Sequence, residues 1–211
     1  MDFSWTEQAR FAVALIAIVD PLAAIPLFLG LTSGFSVAER KKTARVTALA
    51  VFGVLAGAAL AGEAILGAFG TSLPAFRVGG GVVLLLMAVS MLNAEPDRTR
   101  HTPEEDLAST TKESVAVVPL GVPLLAGPGA ISAVILQMNS GDGPAHVALV
   151  LGVIALLALA CWLALRNAER IGRLVGPIGM NVVIRLFGLV LAAIGVEFIA
   201  AGIKELFPGL A

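Results

Sequence analysis

Long apolar stretches separated by shorter polar connections dominate the chain. A helix needs about 20 apolar residues to cross a hydrocarbon core about 30 Å thick, and six stretches approach or exceed that length. They cover residues 9–31, 44–66, 74–92, 114–138, 145–165 and 182–203. The pattern therefore predicts an all-α membrane protein with six transmembrane helices.

Two of the six predicted spans are interrupted near their centres. The first contains Asp20-Pro21 and the fourth contains Gly127-Pro128, each within an apolar run. Proline lacks an amide hydrogen and clashes with the preceding helical turn, whereas Asp followed by Pro is typical of a helix start. We therefore expect the first and fourth helices to be discontinuous, with both breaks near the bilayer midplane.

The longest polar connection divides the six spans into two groups of three. Residues 94–113 are predicted to be a cytoplasmic linker between two three-helix repeats, residues 1–93 and 114–211. An odd number of spans in each repeat gives the repeats opposite orientations. With the paired breaks, this arrangement predicts an inverted repeat, which is common among secondary transporters. A chance match of small and apolar residues is the alternative.

Basic residues predict the orientation, because they concentrate in cytoplasmic loops. The first, third and fifth connections hold most of them, so both termini are expected outside the cytoplasm and the chain is expected in the cell inner (plasma) membrane. These residues are Arg40, Lys41, Lys42, Arg45, Arg98, Arg100, Lys112, Arg166, Arg170 and Arg173.

Composition supports the membrane class and excludes others. Hydrophobic residues make up 58% of the chain and charged residues only 14%, well below the soluble average of about a quarter. A formal charge of -1 argues against a nucleic-acid partner. Cys161, the single cysteine, lies in an apolar run, and two histidines are too few to indicate a metal centre. We expect no metal and no cofactor.

The two breaks offer unequal chemistry to a ligand. Asp20 supplies a negative charge and caps its own half-helix, whereas Gly127, Gly129 and Ala130 leave the second N-terminus uncovered and closely approachable, with space for a small substrate. An ammonium group would prefer the first break and a carboxylate the second, which suits an amino-acid zwitterion. The predicted substrate-binding residues are Asp20, Pro21, Ala23, Ala24, Gly127, Pro128, Gly129, Ala130 and Ser132. Otherwise, Asp20 is only a helix cap and the prolines are tolerated kinks.

A second acid lies within the last predicted span. Intramembrane acids are scarce and often functional, so Asp20 and Glu197 are the candidates for coupling transport to protons or ions. Glu197 is equally suited to a structural ion pair with Arg77 or Arg185. Glu63 lies near the end of its span and is assigned no role.

Several segments resemble the MarC family of integral membrane proteins. They are Asp20-Pro21-Leu22 with Pro26-Leu27-Phe28, the glycine-rich third span ending in Met91-Leu92, and residues 119–131, which read PLGVPLLAGPGAI. The resemblance implies a six-span inner-membrane protein with discontinuous first and fourth helices. The family includes small neutral amino-acid transporters, with coupling to a proton or ion gradient expected. Many members have Gly and Asn where this chain has Ala23 and Ala24, a difference that bears on the substrate.

These inferences favour a secondary transporter that works by alternating access. Its expected substrate is a small neutral solute, and the unequal chemistry of the two breaks favours an amino acid. A membrane assembly or regulatory component and an ion or drug exporter are the alternatives. No catalytic residues are predicted, because the common hydrolase and metalloprotease motifs are missing from the sequence. The expected partners are a small-molecule substrate and the lipid bilayer. Homo-oligomerisation, transport direction and any link to antibiotic resistance stay open.

Overall fold

The computed structural model describes residues 5–93, 116 and 120–210, which contain helices and no strands. This confirms the predicted all-α class. A π-helical segment covers Leu120–Leu125, and a 3-10 turn covers Pro208–Leu210. The helices are α1 (Trp5–Val19), α2 (Ala24–Leu31), α3 (Val37–Ala68), α4 (Leu73–Asn93), α5 (Pro128–Met138), α6 (Pro144–Arg166) and α7 (Ala168–Leu206).

Most of these helices are suited to crossing a membrane. α3, α4, α6 and the Ile178–Leu206 part of α7 are each long and apolar enough, and α1 and α2 together form a fifth candidate that bends by 45°. α5 is apolar but shorter, with 11 residues. The predicted linker, residues 94–113, and the beginning of the fourth predicted span lie outside the described residues.

Two helices extend well beyond the apolar stretches that predicted them. α3 begins after Ser36, where the Ser36 hydroxyl accepts from the Glu39 amide and the Glu39 carboxylate accepts from the Ser36 amide. This capping box starts the helix in polar sequence. α7 changes direction at Gly176 (φ 68°, ψ 171°), a conformation that favours glycine. Hydropathy locates the membrane-embedded part of a helix, whereas its ends depend on caps and breaks.

Helices from the two halves of the chain pack mainly against each other. The most extensive contacts join α4 to α7 and α3 to α6, and α1 lies against α5. Among the described residues, α3 and α4 barely touch, although they are consecutive. The halves therefore form one interleaved bundle.

Glycines bring the backbones of α4 and α7 into direct contact. Gly188, Gly195 and Gly202 recur every seventh residue along α7, and a Cβ atom added to any of them would lie 2.8–3.3 Å from a carbonyl oxygen of α4. Those oxygens belong to Pro74, Gly81 and Ala88. Small residues permit this close approach, which maximises dispersion contacts where the hydrophobic effect is weak.

The backbone contact between α4 and α7 predicts that alanine substitutions at two neighbouring glycines affect stability differently. A Cβ atom at Gly81 would lie 2.7 Å from the Gly195 carbonyl oxygen, so Gly81→Ala must separate the helices. We expect it to lower the free energy of unfolding by about 1–3 kcal/mol. A Cβ atom at Gly79 would contact no neighbouring atom within 4 Å, so Gly79→Ala should be neutral or slightly stabilising. Thermal unfolding in detergent measures both, and equal losses would contradict the proposed contact.

Candidate functional site

The first break is a turn built around Asp20. α1 ends at Val19 and α2 begins at Ala24. Asp20 is completely buried and has a positive φ of 45°, which Asp tolerates better than most residues. Its carboxylate oxygen Oδ1 accepts a 3.2 Å hydrogen bond from the Ala23 amide. The side chain therefore makes the kind of bond predicted for a helix cap, but the regular helix begins later than the predicted Pro21.

The second break starts a helix where the sequence predicts it. Gly127 is extended (φ -77°, ψ 173°) and Pro128 occupies the first turn of α5, which confirms the predicted start. The Gly127 carbonyl accepts from the Ile131 amide over 3.0 Å, and no side chain caps this N-terminus. Before the break, the π-helical segment is interrupted by extended Val122 (φ -137°, ψ 126°).

The two interrupted segments lie next to each other. α1 contacts α5, and α2 contacts the π-helical segment. A Cβ atom at Gly129 would lie 3.5 Å from the Ile18 side chain, so the first turn of α5 meets the end of α1. The structure therefore brings the two predicted halves of the site together.

Packing fills part of the space that the small residues were expected to leave open. A Cβ atom at Gly129 would lie 2.5 Å from Leu84 Cδ2 and 3.2 Å from Met87 Sδ, which places α4 side chains against this glycine. Ser132 is buried against Gly80, where an added Cβ atom would lie 3.0 Å from the serine hydroxyl oxygen. The expectation of an approachable Gly129 is therefore wrong on this side, because the α4–α5 contact needs the space.

The remaining predicted residues differ in their surroundings. Pro21, Ala24, Gly127 and Ala130 are buried, and Ala23 is half-buried. Pro128 is exposed on the protein surface. The predicted residues are therefore mostly buried, and Pro128 is the exposed member of the set.

Glu197 is exposed and lines a cavity of about 450 Å³ at one end of the bundle. We call this the Glu197 cavity; its polar lining residues are Arg10, Arg77, Gln137, Ser140 and Glu197. Its apolar lining includes Ile18, which precedes the Asp20 turn by two residues, and Ala133 of α5. Arg77 forms its ion pair with Glu205, not with Glu197 as one interpretation of the sequence proposed. Open space at this end thus extends towards the breaks.

At the opposite end, Arg40 connects three helices. Its guanidinium pairs with the Glu169 carboxylate at the start of α7, and Nη2 donates a 2.9 Å hydrogen bond to the Thr32 carbonyl at the end of α2. Arg40 itself belongs to the first turns of α3. In the sequence this residue indicated only the orientation, because nothing local to Arg40 indicates a partner 129 positions away.

Comparisons with known proteins agree on one family. Residues 5–207 match the family described as MarC family integral membrane protein. The chain is 37% identical to the UPF0056 membrane protein YhcE of Escherichia coli K12, over 99% of this chain and 97% of that protein. It is 36% identical to YvbG of Bacillus subtilis, over 94% of each. The UPF0056 inner membrane protein MarC of Salmonella paratyphi A is 34% identical, over 92% of each. No solved structure matches.

The geometry of the first break predicts a difference between two neutral replacements of Asp20. Asp20→Asn keeps an oxygen acceptor for the Ala23 amide and tolerates positive φ, whereas Asp20→Ala loses the acceptor and is strained. We expect the alanine variant to be less stable than the asparagine variant by about 2 kcal/mol. Chemical or thermal unfolding in detergent measures the difference. Equal stability of the two variants would exclude a structural role for the bond.

Proposed function

The chain belongs to the MarC family of integral membrane proteins, and we propose that it is a secondary transporter of a small neutral amino acid rather than an enzyme. The observation that carries the proposal is the pair of adjacent helix breaks beside the completely buried Asp20. The name of the Salmonella relative refers to the inner membrane, and we propose the same membrane for this chain.

A buried carboxylate within an apolar span supports a functional role. An acid in the membrane interior is costly, and such residues commonly mark substrate or ion pathways. Interrupted helices are likewise tolerated only where protein or a polar cavity surrounds them. In the proposed mechanism, Asp20 binds the ammonium group of the substrate or a coupling proton. The uncapped first turn of α5 supplies amide groups for the carboxylate.

The packing of the two halves supports the proposed inverted repeat. In a six-span arrangement of two such repeats, each helix of the first repeat would face its counterpart in the second. The two most extensive contacts, α4 with α7 and α3 with α6, agree with this arrangement, and α1 also meets α5, although α5 packs more extensively against α3 and α4. Inverted repeats place substrate sites at the repeat interface, near discontinuous helices, and the two breaks lie where helices of the two halves of the chain meet.

The two ends of the bundle differ in a way that supports alternating access. The Glu197 cavity extends to Ile18 from one end. At the other end, Arg40 ties α2, α3 and α7 together. We interpret this conformation as open towards the Glu197 cavity, with the Arg40 contacts holding α2, α3 and α7 together at the other end. Rocking of one repeat against the other would exchange the two states.

The transport proposal is tested by uptake into liposomes containing the purified protein. We expect an imposed proton or sodium gradient to drive accumulation of labelled glycine, alanine or serine. Asp20→Asn should reduce initial uptake at least tenfold, because the charge is lost while the Ala23 bond is kept. Glu63→Gln is the matched control and should retain uptake, since Glu63 is exposed and distant in sequence from both breaks.

Failure of every gradient to drive uptake of these amino acids would overturn the proposed function. Transport of a cation alone would instead support the exporter alternative. Normal amino-acid uptake by Asp20→Asn would remove only the role assigned to that residue.

The Arg40–Glu169 pair gives a separate prediction about the conformational equilibrium. Glu169→Gln removes the ion pair and should favour opening at the Arg40 end, with closure of the Glu197 cavity. The probe is a cysteine at the cavity-lining position Ala14 (Ala14→Cys), in a chain whose native thiol is removed by Cys161→Ala. The rate at which a polar thiol reagent modifies this probe should fall several-fold when Glu169→Gln is added. Glu205→Gln, which breaks the Arg77 pair at the other end, should leave the rate unchanged or raise it. Equal decreases in both variants would contradict the proposed coupling.

A further inference from the structure

Cationic side chains surround a second cavity, of about 450 Å³, at the Arg40 end of the bundle. We call it the basic cavity; its cationic residues are Arg40, Lys41, Arg166, Arg170 and Arg173. The single carboxylate among its described lining residues is Glu169, which Arg40 pairs with. The cavity therefore has a strong excess of positive charge, although the whole chain has a formal charge of -1.

Local contacts hold several of these cations in place. Arg40 is fixed by Glu169 and by the Thr32 carbonyl. The Arg166 guanidinium lies over the Trp162 ring, 4.8 Å from its centroid, which is a favourable cation–π distance. Arg173 donates from Nε to the Glu169 carbonyl over 3.2 Å. A preorganised guanidinium loses less side-chain entropy when it binds an anion.

An apolar groove of about 580 Å³ adjoins the basic cavity. It runs between α2 and α7, and the two spaces share Glu169 and Arg173 as lining residues. Ile25, Pro26 and Leu29 form its α2 side, and Gly172, Gly176 and Met180 lie along α7. The kink at Gly176 separates the interfacial start of α7 from its membrane-crossing part. The α2–α7 groove therefore extends from the charged end of the bundle towards its apolar depth.

We propose that the basic cavity and the α2–α7 groove together bind an anionic phospholipid, with the phosphate among the arginines and an acyl chain in the groove. Basic pockets at the ends of transmembrane helices are suited to such head groups. A soluble anion would use only the basic cavity, and a lipid without net charge would gain little from it. The joint presence of both features at one membrane interface points to a ligand that is anionic at one end and apolar at the other.

Binding to purified, delipidated protein in detergent tests the proposal. Native mass spectrometry should detect phosphatidylglycerol at a single saturable site, with phosphatidylcholine of identical acyl chains binding at least tenfold more weakly. Glycerophosphoglycerol, which carries the same head group without acyl chains, should not displace the bound lipid at equal concentration. Equal binding of the two lipids, or displacement by the soluble head group, would overturn the assignment to an anionic lipid.

Charge variants locate the site. Arg170→Gln/Arg173→Gln removes two cavity cations and should weaken phosphatidylglycerol binding about thirtyfold, at roughly fivefold per charge. Arg45→Gln/Arg185→Gln is the matched control, because both residues are exposed and neither lines the cavity or the groove. Equal losses in the two double variants would show unspecific attraction and contradict the site. If the first variant does not fold, Lys41→Gln/Arg170→Gln replaces it, since both side chains are exposed.

Discussion

The backbone contact between α4 and α7 is the interaction on which the rest of the bundle depends. It joins the two halves of the chain, and each of its helices supports one interrupted segment: α4 packs against α5, and α7 packs against α1 and α2. Because a broken helix in a membrane needs protein or a polar cavity around its exposed backbone, this pair supports the breaks together with α3, which packs against α5 and the π-helical segment. Gly81 and Gly195 allow that support by bringing the two helix axes close together.

The two breaks differ in their chemistry. At the first, a buried carboxylate turns back to the Ala23 amide and shapes the chain locally. At the second, no side chain caps α5, and Leu84 and Met87 of α4 occupy the space beside Gly129. One break therefore carries an acidic side chain, and the other carries uncapped backbone beside the apolar side chains of α4. This difference is suited to a ligand with two unlike ends.

Charge is also distributed unequally between the two ends of the bundle. One end holds a polar cavity that reaches Ile18, and the other holds Arg40, which links α2, α3 and α7. A lipid bound beside Arg40 would contact the same helices that Arg40 links. The proposed lipid site and the proposed transport cycle share the Arg40 contacts and therefore involve the same end of the bundle.

Features that depend on local chemistry were predictable from the order of residues alone. Apolar stretches of membrane length indicated the all-α class, and the missing amide of proline indicated the break in the first span and the start of α5 at Pro128. Packing between distant segments decided the rest. It paired Arg77 with Glu205 instead of Glu197 and filled the space beside Gly129. Those outcomes depend on which helix faces which, and neighbouring residues carry no information about partners more than a hundred positions away.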